Sequence, residues 1–169
     1  DTNTAIGKDA LKSNTTGSDN TAVGYQALKT NTTGIRSVAI GYQALTNSVY
    51  SDNTAVGYQA AFYAAVGCSS TTAVGMQALR NCSSGNSNTA IGRNALYWTT
   101  GSANVGVGNN SGNNNSSGNF NTFLGYNTNI TPTNATWSNS TALGNGALIT
   151  ASNQIVLGDS YVTHIKSGV

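Results

Sequence analysis

One histidine, five acidic residues, all aspartate, and two cysteines are the whole stock from which this chain could build acid–base, metal or thiol chemistry. The aspartates stand at 1, 9, 19, 52 and 159, so no two are spaced as a local acid/base pair. Asp159, Ser160 and His164 spell a nucleophile, a base and an orienting acid within six residues. Triads are assembled in space from distant segments, so this local grouping carries no hydrolase reading. No Gly-x-x-x-x-Gly-Lys phosphate loop occurs, and calcium-binding glycine-rich repeats would need an aspartate in every turn. The expectation is a protein that is not an enzyme, with no catalytic residue, no bound metal and no cofactor.

Cys68 and Cys82 lie fourteen residues apart, without a Cys-x-x-Cys pair and with His164 remote, which disfavours zinc. Two readings stand side by side. Either the cysteines are bonded across neighbouring repeats, as an extracellular location permits, or they are two small buried hydrophobes.

Charge is sparse: seven basic and five acidic residues give a net +2. Along the sequence Lys8, Lys12, Lys29, Arg36, Arg80, Arg93 and Lys166 never form a run, so neither a nucleic-acid groove nor a polybasic membrane patch is expected. Apolar residues come in pairs rather than long runs, so no membrane insertion is expected either.

The elements that must position these residues are announced by repetition. The phrase Asn-Thr-Ala-Val-Gly-Tyr-Gln-Ala-Leu returns with small edits, aligned on Gly7, Gly24, Gly41, Gly57, Gly75 and Gly92, then on weaker copies at Gly108, Gly125, Gly144 and Gly158. A spacing mostly of 16–17 residues is too long for a heptad and too short for paired helices. It predicts one solenoid coil per copy. Each coil offers two small apolar patches, Ala-Ile/Val before the glycine and Ala-Leu after it, both expected to face inward. The Thr-Ala-Val/Ile run reads as a short strand, although the good helix formers in Tyr-Gln-Ala-Leu leave a helical turn open there. Stretches such as Thr30-Asn31-Thr32-Thr33-Gly34 suit corners, because their side chains bond nearby backbone or accept positive φ. The fold class is therefore all-β, a parallel β-roll of about ten coils.

Three regions follow: 1–100 regular repeats, 101–140 irregular and Asn-rich with a bulge or receptor-binding loops, and 141–169 terminal repeats. Tyr97, Trp98, Phe120, Phe123, Tyr126 and Trp137 concentrate around the irregular region. Aromatic faces beside Asn side chains suit the C–H faces and hydroxyls of sugars, and loops on a rigid rod are common carriers of binding residues. The plainer reading is that these rings fill a widened core. Tyr50, Phe62 and Tyr63 are assigned to packing, and the Tyr-Gln pairs at 25–26, 42–43 and 58–59 to a structural stack.

The phrase Asn-Thr-Ala-Ile/Val-Gly-x-x-Ala-Leu, closest at Ser37-Val38-Ala39-Ile40-Gly41, resembles the head repeat of trimeric autotransporter adhesins, a left-handed parallel β-roll. It resembles still more the repeats of long phage tail fibres and of the mosaic adhesive trimers of predatory bacteria, and its period is longer than the autotransporter one. The segment Ile149–Ile165 is similar to the stretch that precedes the self-cleaving intramolecular chaperone of such fibres. The resemblance implies a homotrimer, side by side or intertwined, folded with a C-terminal chaperone that is then removed. It also implies an extracellular place, on a bacterial surface fibre or a virion tail fibre. Because the chain opens inside a repeat at Asp1, it is expected to be a piece of something longer.

Elementary energetics points the same way, since a coil with two small patches covers little core and three chains bury more than one. The leading expectation is a noncatalytic adhesive fibre that recognises a surface glycan or envelope component. A passive spacer is the alternative. An ice-binding solenoid is a minor one, because the threonine rank Thr4, Thr21, Thr54, Thr72 and Thr89 is broken by Val38, Val105 and Ile155.

Overall fold

The computed structural model describes residues 2–64, 67–133 and 135–165. Ten three-residue strands stack into one parallel sheet: β1 Thr4–Ile6, β2 Thr21–Val23, β3 Val38–Ile40, β4 Thr54–Val56, β5 Thr72–Val74, β6 Thr89–Ile91, β7 Val105–Val107, β8 Thr122–Leu124, β10 Thr141–Leu143 and β12 Ile155–Leu157. Two further pieces, β9 Asn129–Ile130 and β11 Leu148–Ile149, pair in parallel as a second small sheet. The chain is a parallel β-solenoid of about nine turns, and no helix occurs among the described residues. Tyr-Gln-Ala-Leu forms turns, not a helical turn.

Register is uniform. Thr4 lies over Thr21, Ala5 over Ala22 and Ile6 over Val23, and the same three columns run to Ile155, Val156 and Leu157. The 101–140 stretch keeps this register through β7 and β8, even though the coil from Thr122 to Thr141 is nineteen residues long.

Side-chain alternation within the strand sorts each coil into an inside and an outside. The central alanines, Ala22, Ala39, Ala55, Ala73 and Ala90, are fully buried. So are the Ala-Leu pairs that follow, among them Ala27-Leu28, Ala44-Leu45 and Ala78-Leu79. The residues on either side of the central alanine point outward instead. Ile6, Ile40, Ile91, Leu124 and Leu143 are exposed, and Val23, Val56 and Val74 half-buried. Only the alanine of the Ala-Ile/Val patch faces inward, contrary to expectation, because neighbouring residues of a strand must take opposite faces. The leucines belong to the chain's own interior, where each fully buried one contributes roughly 1.5–3 kcal/mol.

The turn after each strand has an unusual backbone. Gln26, Gln43, Gln59 and Gln77 have φ between 51° and 57°, and Leu28, Leu45 and Leu79 between 48° and 51°. Left-handed backbone is uncommon outside glycine. Here it turns alternate amides to opposite coils: Gln43 N–H donates to Tyr25 O of the coil before, Leu45 N–H to Ala60 O of the coil after. The clash of Cβ with the neighbouring carbonyl disfavours such turns in Gln and Leu. The ladder of inter-coil bonds holds them.

A buried polar ladder lines one corner. Asn20 Oδ1 accepts from Ser37 N–H, Asn53 Oδ1 from Thr71 N–H, Asn88 Oδ1 from Asn104 N–H and Asn104 Oδ1 from Asn121 N–H. Their amide nitrogens donate to the coil corner, as Asn20 does to Gly34 O and Asn88 to Gly101 O. Every such asparagine is buried and paired, which removes the cost of enclosing its amide.

Cys68 and Cys82 form a disulfide with a Cα–Cα distance of 6.3 Å, and both are fully buried. Cys82 holds the coil position of Asn31, whose amide reaches Gly34 across the corner, and Cys68 holds the position of Gly34. The two phases differ because the bond spans that corner.

The interior changes filling at the seventh coil. Gly106, Ser111 and Gly112 replace the usual Ala, Ala and Leu, and Phe123 of β8 enters the space. A Cβ at Gly112 would lie 2.6 Å from Leu96 Cδ2 and 2.6 Å from Phe123 Cδ2. The missing side chains of one coil are thus replaced by a phenylalanine from the next.

Candidate functional site

Stacking converts sequence spacing into columns. The backbone bonds Asn47 N–H to Phe62 O, Tyr63 N–H to Arg80 O and Asn81 N–H to Tyr97 O set Phe62, Arg80 and Tyr97 above one another. The next column reads Tyr63, Asn81 and Trp98. Three successive coils therefore bring five aromatic or cationic side chains to one corner.

Arg80 is the centre of this group. Its guanidinium carbon lies 5.4 Å from the Phe62 ring, 5.3 Å from Tyr63 and 5.7 Å from Tyr97, within reach of cation–π attraction. Nε donates to Gln59 Oε1 at 3.2 Å, and Nη1 to Tyr97 Oη at 3.1 Å and weakly to Asn81 Oδ1 at 3.5 Å. Tyr63 meets Phe62 edge-on at 4.4 Å between centroids, and Trp98 meets Tyr97 at 4.9 Å. Phe62, Tyr63 and Tyr97 thus hold the cation, while Tyr63 and Trp98, 45% and 55% exposed, also show surface to solvent.

Beside this corner runs a ladder. Tyr25, Tyr42 and Tyr58 stack with centroids 5.1 and 5.3 Å apart, near the inter-strand spacing. Gln43, Gln59 and Gln77 each donate from Nε2 to the glutamine one coil earlier, at 3.0, 3.0 and 3.2 Å. Gln59 Oε1 therefore accepts from both Gln77 and Arg80, which ties the ladder to the aromatic corner.

The other ring residues singled out in the sequence go elsewhere. Phe120 is 66% exposed, beside a groove of about 310 Å³ lined also by Asn139, Asn153 and Ile155. Phe123 is fully buried and fills the interior, so it offers no surface to a receptor. Tyr126 is exposed in the column of the tyrosine ladder, with Met76, Arg93 and Asn109 between it and Tyr58. Trp137 packs against the core and donates from Nε1 to Thr131 O at 3.2 Å. Of the six, only Tyr97 and Trp98 come together. The partners they meet, Phe62, Tyr63 and Arg80, have no signal as residue types beyond packing and scattered charge; counting five and six residues on from each repeat glycine brings them together.

No family model matches the chain. No curated protein does either.

Charged groups also gather in space more than in sequence. Asp9 bonds Lys12 at 3.1 Å, and this bond, with Lys29 and Lys8 nearby, holds its carboxyl below the usual carboxylate range. Lys12, Lys29 and Arg80 share one column position, and Lys8 and Arg93 another. On a different corner Arg36 grips Asp52 with two bonds of 2.7 and 2.9 Å, which lower the Asp52 pKa and raise that of Arg36. Asp19, bonded by the Thr2 and Ser18 hydroxyls, is lowered as well. At the C-terminal end His164 Nδ1 contacts Thr163 Oγ1 at 2.9 Å, while Asp159 accepts from the Tyr161 amide. Among the described residues no three His, Cys, Asp or Glu side chains converge.

Proposed function

We propose that this chain is a segment of a noncatalytic, homotrimeric extracellular fibre that recognises a glycan or envelope component on a cell surface. The observation that carries the reading is the outer face of the ten-stranded sheet. Two rows of outward side chains run its whole length, roughly 43 Å at the inter-strand spacing. One is Thr4, Thr21, Val38, Thr54, Thr72, Thr89, Val105, Thr122, Thr141 and Ile155; the other is Ile6, Val23, Ile40, Val56, Val74, Ile91, Val107, Leu124, Leu143 and Leu157. Neither contains a charge. An uninterrupted apolar row of that length is a surface made to be covered, and two further copies of the same face supply rows of equal length and spacing.

Recognition is assigned to the aromatic corner, which none of the sheet residues helps to form. Three chains would repeat the corner three times, and avidity would raise the effect of weak single sites.

Light scattering before and after reduction tests the assembly. A mass near three times 17.2 kDa that reduction leaves unchanged is expected, and a monomer would overturn the trimer. Binding to whole cells separates the adhesive fibre from the passive spacer, which binds none. The registered threonine row favours one other reading, ice binding by the same sheet face. Val38, Val105 and Ile155 interrupt that row, and absence of thermal hysteresis would remove it.

A further inference from the structure

We infer that the corner formed by Tyr63, Arg80 and Trp98 is a binding site for an acidic sugar, a pyranose bearing a carboxylate. The inference rests on the glycan reading above and names the ligand class.

Three observations carry it. First, Arg80 has no carboxylate partner: the ion pairs among the described residues are Lys12 with Asp9 and Arg36 with Asp52. Its Nε and Nη1 are engaged by Gln59, Tyr97 and Asn81, which fix the plane of the guanidinium, while Nη2 makes no hydrogen bond among the described residues. A half-buried cation held in a set orientation with free donors is suited to a planar anion.

Second, the rings around it do two jobs. Phe62 and Tyr97, one coil before and one after, hold the cation between them, and Tyr63 lies against it as well at 5.3 Å. Tyr63 and Trp98 stand in the outer column two coils apart, about 9.6 Å at the inter-strand spacing, and expose ring surface on both sides of Arg80. Such surfaces pack against the C–H faces of sugar rings.

Third, Asn81 occupies the column position between Tyr63 and Trp98, its amide oxygen faces Arg80 Nη1, and its enclosed side-chain nitrogen has no partner among the described residues. An unpaired donor in this column is a polar group left over by the fold, and a turn of the amide that brings it to the surface would let a sugar hydroxyl or carboxylate oxygen satisfy it.

A nucleic acid would ask for something different. Phosphates repeat along a strand and call for repeated cations, whereas this cluster holds a single one, with neutral Gln59 and Asn81 as its polar neighbours.

The test is titration of the chain, followed by Trp fluorescence and calorimetry. The probes are oligogalacturonate and 3′-sialyllactose as two sources of a pyranose carboxylate, methyl-esterified oligogalacturonide and lactose as neutral counterparts, and oligothymidylate as a polyphosphate. At least one acidic sugar is expected to bind roughly tenfold or more tightly than its neutral counterpart, with Arg80→Gln removing that margin and Arg80→Lys recovering part of it. Trp98→Ala should weaken the acidic and neutral forms alike. Equal binding of acidic and neutral sugars, an unchanged margin in Arg80→Gln, or tighter binding of oligothymidylate would overturn the site. Should Arg80→Gln fail to fold, the acidic-to-neutral ratio of the unmodified chain and Arg80→Lys decide. Binding to cells or neutral glycans without any to the acidic probes refutes this inference and spares the fibre reading; binding to nothing refutes both.

Discussion

Truncating Phe123 to alanine should open the solenoid at its seventh coil. The ring is fully buried, and the coil beneath it has only Gly106, Ser111 and Gly112 where the coil before has Ala90, Ala95 and Leu96. That coil has nothing larger than serine at these positions to fill the vacated volume, so the loss belongs at the usual Phe-to-Ala range, about 3–5 kcal/mol. For a chain of 169 residues that corresponds to roughly 6–20 °C in melting temperature. Because each coil touches only its neighbours, the damage should be local. Amide exchange should accelerate in Val105–Val107, Thr122–Leu124 and Thr141–Leu143, and stay unchanged in Thr21–Val23. The decisive step is the double variant. Gly112 has φ of 60°, close to the 48° of Leu96 in the same column, so Gly112→Leu can adopt the backbone already present. Alone it should destabilise, since its Cβ would lie 2.6 Å from the Phe123 ring. Combined with Phe123→Ala it restores a leucine to that coil and should return about half of the lost stability, so that chemical denaturation gives a coupling of about 2 kcal/mol plus whatever Gly112→Leu loses alone. If the two losses simply add, the idea that Phe123 stands in for the missing leucine is wrong.

Gly57→Ala should prevent the fourth and fifth coils from stacking, because its φ is 133° and the new methyl would sit 2.6 Å from Gly75 O; circular dichroism and solubility report it, and normal folding would refute the geometry. Reduction, or Cys68→Ser with Cys82→Ser, removes a cross-link over fourteen residues and should cost about 3 kcal/mol, read as a lower melting temperature. The pH dependence follows from Asp9, Asp19 and Asp52, whose hydrogen-bond partners hold their folded pKa values below the usual aspartate range. A depressed carboxylate stabilises the fold above its unfolded pKa and stops doing so as pH falls through the folded one. Stability should therefore be flat from pH 5 to 8 as far as these groups go and decline below about pH 4, less so in Asp52→Asn; a decline centred near pH 6 would contradict it.

Much of this architecture was legible because the repeat glycines fix a phase. Once Gly24, Gly41 and Gly57 are aligned, the central alanines, the buried leucines and the tyrosine ladder fall into columns. Strand alternation then decides that Ala22 is inside and Val23 outside, a step that treating Ala-Val as a single apolar patch skips. The left-handed backbone at Gln43 and Leu45 had no local signal, since neither residue favours it and only bonds to the coils before and after hold it. Of the two readings open for Phe123, a receptor ring or a filler of the core, the second holds, and what selects it is the space left by glycines eleven and seventeen residues earlier. The disulfide was left open for the same kind of reason: the unequal phases of Cys68 and Cys82 make sense only after the corner bond between Asn31 and Gly34 has been seen. For the aromatic corner, Tyr97 and Trp98 stood out as types, whereas Arg80 became interesting only when two neighbouring coils put rings around it.

The asparagine corner has a consequence for how such a chain can change. From Ala22 to Ala90 every coil shows its successor nearly the same surface, three strand residues of the same kind and, at two of the four steps, an asparagine accepting from the next amide. Excising or duplicating one whole coil in phase therefore rejoins surfaces that already fit. Adding or removing whole coils would lengthen or shorten the rod in steps of about 4.8 Å, so reach can change while each coil stays as it is.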